Sequence, residues 1–196
     1  MSLGVTLQLS ERDTMDEQQL FREMVLPYLD DALSLARWLT GNISDAEDVV
    51  QEASLRAFRA VGSMRQSNPR GWLLVIVRNT AFTWLAKNRP KAVVVTDDER
   101  VFEQASLEMT DRSDAATPEA VMIAQADADQ LQRAIAALPV AFREVLVLRE
   151  IEGMSYREIA DIVDVPVGTV MSRLARARSH LIQRISMGEG GKAGAA

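Results

Sequence analysis

The chain of 196 residues has no cysteine and a single histidine, His180. The first absence excludes disulfides and thiolate-bound zinc, and the second excludes paired-histidine metal motifs, so a reducing compartment is expected. Aromatic residues are scarce, at 5%. No run approaches the roughly 18 consecutive apolar residues of a membrane-spanning helix. The N-terminus also lacks the basic-then-apolar order of a secretion signal. There is no glycine-rich phosphate loop, no cluster of metal ligands and no nucleophile motif. These absences predict a soluble, cytoplasmic, non-catalytic protein that needs no cofactor.

What is present is charge, and its distribution says more than its total of −6. Residues 11–52 hold 11 acids and 3 bases. Residues 53–96 hold 8 bases and no acid, whereas residues 97–129 hold 10 acids and 2 bases. A solvated helical surface normally mixes signs, so an acid-free stretch of this length points to a phosphate-facing surface.

Periodicity predicts helices throughout and no strand of consequence. Apolar positions at Leu20, Met24, Leu29, Leu33, Ala36 and Leu39 trace a helix that Pro27 should break, with a stop at Thr40-Gly41-Asn42. Ser44 and Glu47 have the spacing of a capping box that opens a second helix, burying Ala46, Val49, Val50, Ala53, Ala57 and Val61. Its opposite side carries Asp45, Asp48, Gln51 and Glu52, either a solvated face or a docking stripe. A largely apolar helix from about residue 70 to 86 contains Trp72, which reads as a core residue or as a platform for stacking a base. Further helices are expected around Leu131 and Ile135, and from about 140 to 151 after Pro139.

Residues 153–178 form the most specific pattern. Ser155 and Glu158 make another capping box, Ile159, Ala160 and Val163 make an apolar stripe, and Asp164-Val-Pro-Val-Gly168 makes a turn. The next helix buries Val170, Leu174, Ala177 and Leu181 and turns Ser172, Arg173, Arg176 and His180 outward. This is a helix-turn-helix whose second helix is basic and suited to a major groove, although a helical hairpin packed in a core would share some of the pattern. The fold class is therefore all-α, as two small helical domains joined by a flexible acidic linker.

Four stretches occur in a telling order: Asp45-Ala-Glu-Asp-Val-Val-Gln-Glu52; Asn68-Pro-Arg-Gly-Trp-Leu73 with Arg78-Asn79; Leu138-Pro139 with Tyr156-Arg-Glu-Ile-Ala160; and Val165-Pro-Val-Gly-Thr-Val170. Together they resemble bacterial RNA polymerase sigma factors of the extracytoplasmic-function group, over about residues 20–90 and 118–185. The resemblance implies a leader at 1–15 (with Met15 as an alternative start), region 2 at 16–91, a linker at 92–117, region 4 at 118–187 and a disordered tail at 188–196. It implies that Asp45, Glu47, Asp48, Gln51 and Glu52 bind the polymerase core. It assigns Met64, Arg65, Arg70, Arg78 and Asn79 to the −10 element as separated strand. Tyr156, Thr169, Met171, Ser172, Arg173 and Arg176 would meet the −35 element as duplex. In that family an aromatic residue is frequent where Met64 stands, and a basic one where Val75 and Met171 stand. The implied partners are RNA polymerase core, promoter DNA and an anti-sigma factor. The acidic linker reads either as a mimic of nucleic acid inside the polymerase or as a solubilising tether. Two other functions fit parts of the pattern: a sigma mimic that sequesters an anti-sigma factor, and a stand-alone helix-turn-helix regulator.

Overall fold

The computed structural model describes residues 17–64, 68–89 and 128–190, with side chains up to 185. Helix α1 covers 17–24. It ends where Pro27 cannot donate, and a single 3-10 turn, Leu26–Tyr28, leads into α2, Leu29–Thr40. Gly41 closes α2 in the left-handed region (φ 89°) and donates its N–H to the Arg37 carbonyl at 2.8 Å. Helix α3, Ile43–Ala60, starts two residues before Asp45, the position that a cap at Ser44 would give. The reason is Asn42, which follows the turning glycine in extended conformation and accepts from the Asp45 N–H at 2.9 Å. A short 3-10 turn, Val61–Ser63, precedes α4, Pro69–Asn88, where Asn68 caps by accepting from the Gly71 N–H and Pro69 occupies the first turn.

The second half comprises α5 (128–136), α6 (Val140–Glu150), α7 (Tyr156–Val163) and α8 (Val167–Gly190). Helix α8 continues three residues past the boundary expected at 187. No strand occurs among the described residues. The leader 1–15, the linker 92–117 and residues 191–196 lie outside them.

Helices α2, α3 and α4 pack on one another, as do α6, α7 and α8. Leu35, Leu39, Leu73, Leu74 and Leu85 are fully buried in the first group, and Leu148, Met154, Ile159 and Leu174 in the second. Burial of each such side chain contributes about 1.5–3 kcal/mol. The two groups also touch, α2 against α6 and α4 against α7, so their buried apolar residues form one contiguous cluster. Periodicity places an apolar stripe on each helix but does not say which half covers it, so this contact is absent from the sequence expectation. Arg143 seals it. Its buried guanidinium donates to the Ala136 carbonyl at 2.6 Å and to Leu39 O, at the end of α2, at 3.3 Å. A cation at a helix C-terminus is favourable, and Arg89 does the same at Thr40 O at 3.1 Å. Burial, and then the nearby charge of Arg89, lower the Arg143 pKa to about 10, which leaves it charged at neutral pH.

Candidate nucleic-acid interface

Helix α7 opens with the capping box expected for it: Ser155 Oγ accepts from the Glu158 N–H at 3.3 Å, and Glu158 Oε2 accepts from the Ser155 N–H at 2.9 Å. Those bonds hold the Glu158 carboxyl below its ordinary range. Asp164 ends the helix in the left-handed region (φ 54°), and the Pro166 carbonyl accepts from Thr169 and Val170 to start α8. Val170, Leu174 and Ala177 then lock one face of α8 into the core, which leaves Met171, Ser172, Ala175, Arg176 and Ser179 exposed on the other. The Ser172 hydroxyl donates to Thr169 O at 3.0 Å and keeps its oxygen as an acceptor.

Three sites on this side differ from a simple outward fan. Arg173 is half-buried and turns back, its Nη1 donating to Glu144 Oε1 at 3.4 Å. Tyr156 lies under the Arg149 guanidinium, 4.9 Å from its ring centroid, so one ring face is taken. His180 stacks on Phe142 at 5.9 Å between centroids. Thr169 is half-buried beside the exposed face.

On α3, Glu47, Asp48, Gln51 and Glu52 are exposed. Asp45 is not part of that open surface. It is half-buried, bonded to Asn42 and 3.7 Å from Arg89 Nη2, and so serves the start of its own helix. Leu55, which sequence reasoning passed over, is 49% exposed on the same side, seven, four and three residues after Asp48, Gln51 and Glu52. A large aliphatic on the polar side of the helix, at the end of its acidic stripe, was the available signal.

Three of the −10 candidates, Arg70, Arg78 and Asn79, lie at the start and middle of α4, and Met64 follows the turn before it. Met64 is half-buried and Asn79 is exposed; Arg65 lies outside the described residues. Arg70 and Arg78 are brought together with acids. Arg70 Nε donates to Asp31 Oδ2 at 2.6 Å, while Nη1 and Nη2 donate to the carbonyl and carboxylate of Glu152, both at 3.0 Å. Arg78 Nε donates to Glu144 Oε2 at 2.8 Å, with its guanidinium 4.4 Å from the Phe82 ring centroid and Nη1 3.4 Å from Asn79 Oδ1. Burial pushes the Glu144 carboxyl up, with Arg78 and Arg173 opposing. Burial likewise raises Glu152, against a hydrogen bond from Ser34. Trp72 packs on the apolar core, as its place in an apolar run suggests. Glu144 was also missed, and an acid inside the run Val-Ala-Phe-Arg-Glu-Val-Leu-Val-Leu was its signal.

No group of three or more potential metal ligands occurs among the described residues, and none of their helices is long and apolar enough to cross a membrane. Residues 24–90 match the family described as sigma-70 region 2, and residues 128–181 the family described as sigma-70, region 4. The chain is 36% identical over 178 residues to the RNA polymerase sigma-H factor of Pseudomonas aeruginosa, covering 89% of this chain and 90% of that one. It is 34% identical over 182 residues to the ECF RNA polymerase sigma-E factor of Escherichia coli, covering 90% and 92%. Among solved structures it shares its fold with the sigma factor RpoE of Bartonella quintana in complex with the anti-sigma factor NepR (TM-score 0.66, 24% identity, 85% of this chain and 96% of that one). It also shares the fold of CnrH in complex with the cytosolic domain of CnrY (TM-score 0.58, 24% identity, 91% and 96%).

Proposed function

Because the chain belongs to the extracytoplasmic-function group of RNA polymerase sigma factors, and is thus an alternative sigma factor directing promoter-specific initiation, we propose a division of labour among its surfaces. The exposed side of α3 docks on polymerase core. The start of α4 and the residues before it read the −10 element as separated strand. Helix α8 reads the −35 element as duplex. The observation that carries this reading is the exposed face Met171, Ser172 and Arg176 on a helix whose other face is fixed by Val170, Leu174 and Ala177.

Each surface suits its partner chemically. Asp48 and Glu52 offer charge for steering, Gln51 a neutral amide for hydrogen bonds, and Leu55 offers apolar area to bury, the usual division between rim and centre of an interface. Arg176 can reach a guanine edge or a phosphate, and the hydroxyls of Ser172 and Thr169 suit phosphates, contacts that position a recognition helix. Arg173, held by Glu144, is a positioning residue that fixes α8 against α6. The protein contributes no chemistry of its own, and it acts where the polymerase is, in the cytoplasm. An anti-sigma factor is its regulator, a reading supported by the NepR-bound structure of the fold. A sigma mimic would not need the exposed arginine face of α8, and a stand-alone regulator would not need the α3 stripe.

The test is to measure core binding and −35 duplex binding separately. Asp48→Arg with Glu52→Arg should abolish capture by core while leaving duplex binding by the chain alone unchanged. Loss of both, or of neither, would contradict the assignment.

A further inference from the structure

Helix α8 carries two chemically different exposed rows. Ser172 and Arg176, four residues apart, supply a hydroxyl and a guanidinium. Beside them Val167, Met171 and Ala175, also at four-residue spacing, form an apolar row in which Val167 is 38% and Met171 51% exposed. A single exposed apolar side chain needs no explanation, but Met171 stands in register with two others on the side assigned to the −35 duplex. It is also the longest of the three, unbranched, with three rotatable bonds and a polarizable sulfur. Its thioether has no proton to donate and accepts only weakly, so it cannot fork onto guanine or adenine as an arginine or an amide does. The apolar group that the major groove does offer is the C5-methyl of thymine.

We propose that Met171 is a specificity-determining residue that packs on the C5-methyl group of a thymine in the −35 duplex, beside the contact made by Arg176. The inference rests on the assignment of α8 to that duplex. The two side chains are five residues, about 7.5 Å, apart along the helix, so they meet different base pairs. Val170, Leu174 and Ala177, buried in the core, fix the direction in which both project. Packing the thioether on one methyl removes apolar area from water on both partners. Its worth is that of one buried methyl-sized group, about fourfold in affinity. Cytosine has no such methyl, and a purine edge would set polar atoms against the thioether. The contact neutralises no phosphate and releases no counterion, so the discrimination it gives holds as salt rises, whereas total affinity falls.

Polymerase core carrying the full chain selects duplexes from a pool of randomised sequence, and the shared upstream motif supplies the probe. Each thymine of either strand is replaced in turn by deoxyuridine, which removes the C5-methyl and keeps every hydrogen-bonding group of the base. One such replacement should weaken binding about fourfold, by the same factor at low and at high salt. At that position 5-methylcytosine paired with guanine should bind more tightly than cytosine by a similar factor. Met171→Ala keeps the fold, because the side chain is half-exposed and alanine favours a helix. It should make binding indifferent to both methyl groups, and comparing the two chains on the two duplexes cancels any effect of the methyl on the DNA itself. A motif without an A·T pair, a native chain with no methyl-sensitive position, or a sensitivity that survives Met171→Ala overturns the inference and leaves the −35 role of α8 standing. Failure to recover any shared upstream motif overturns the −35 assignment itself.

Discussion

Arg173 Nη1 and Glu144 Oε1 lie 3.4 Å apart, joining the recognition helix α8 to the buried side of α6. Glu144 Oε2 is held at the same time by Arg78 of α4, so one carboxylate serves both halves of the molecule. Two arginines three residues apart on one helix therefore have different work: Arg173 fixes the helix and Arg176 is presented to solvent. Arg176→Ala should weaken −35 duplex binding by about 1–3 kcal/mol if it reads a base, with relaxed preference at one position and a smaller fall in the thermal midpoint than Arg173→Ala. Arg173→Ala should lower the midpoint and weaken binding to all duplexes alike. Melting curves together with binding to a set of single-base variants distinguish the two.

Glu144 is expected to be more useful as an acceptor than as a charge. Its folded-state carboxyl is raised, chiefly by burial, so its contribution to stability is full below the ordinary carboxylate pKa and is lost as pH rises through the raised one. Glu144→Gln lacks that dependence. The stability of the variant relative to the native chain should therefore increase as pH rises across the raised value, as followed by urea unfolding at several pH values. Glu144→Ala leaves two guanidiniums without their acceptor and should cost about 1–3 kcal/mol.

The Ser155–Glu158 box gives the opposite pH behaviour. Hydrogen bonds from Ser155 lower the Glu158 carboxyl, so its stabilisation is present above the ordinary carboxylate pKa and is lost as pH falls through the depressed one. Ser155→Ala should cost about 1 kcal/mol at neutral pH. The Ser155 backbone N–H still reaches the Glu158 carboxylate in that variant, so it is Glu158→Ala whose difference from the native chain should shrink on acidification, measured by the same unfolding curves. A constant difference would assign the effect to something other than the box.

Leu55 should act as the apolar centre of the polymerase-docking face. Leu55→Ala leaves the fold intact, because the side chain is half-exposed, and should weaken core binding by on the order of 1–2 kcal/mol, part of the worth of a buried leucine. Its effect should persist at high salt, whereas that of Asp48→Asn should fade. Titration of core with fluorescent chain at two salt concentrations checks both.

The helices were legible in the sequence because their signals are local. Gly41, Asn68-Pro69, Pro139 and the Ser155–Glu158 box each act within one turn, and the apolar spacing of α8 fixes which side is buried. The start of α3 was misplaced because two capping signals overlap, and Asn42, extended after a left-handed glycine, wins over Ser44. The candidate site was legible as a set of charges on helix faces. Its pairings were not, because Arg78 and Glu144 are 66 residues apart and nothing in either segment names the other. Arg173 illustrates the same limit: outward by helical spacing, it is long enough to turn back to a buried acid.

The most direct measurement of the central claim is run-off transcription. Purified chain is added to sigma-free polymerase core on a pool of upstream fragments from its own genome, and the transcript starts are sequenced. The account predicts discrete starts preceded by a shared pair of motifs at −10 and −35, with Arg176→Ala altering the preferred upstream motif and Arg70→Gln with Arg78→Gln abolishing the starts. Core that binds the chain without producing starts, or duplex DNA that is bound while core is not, would contradict it.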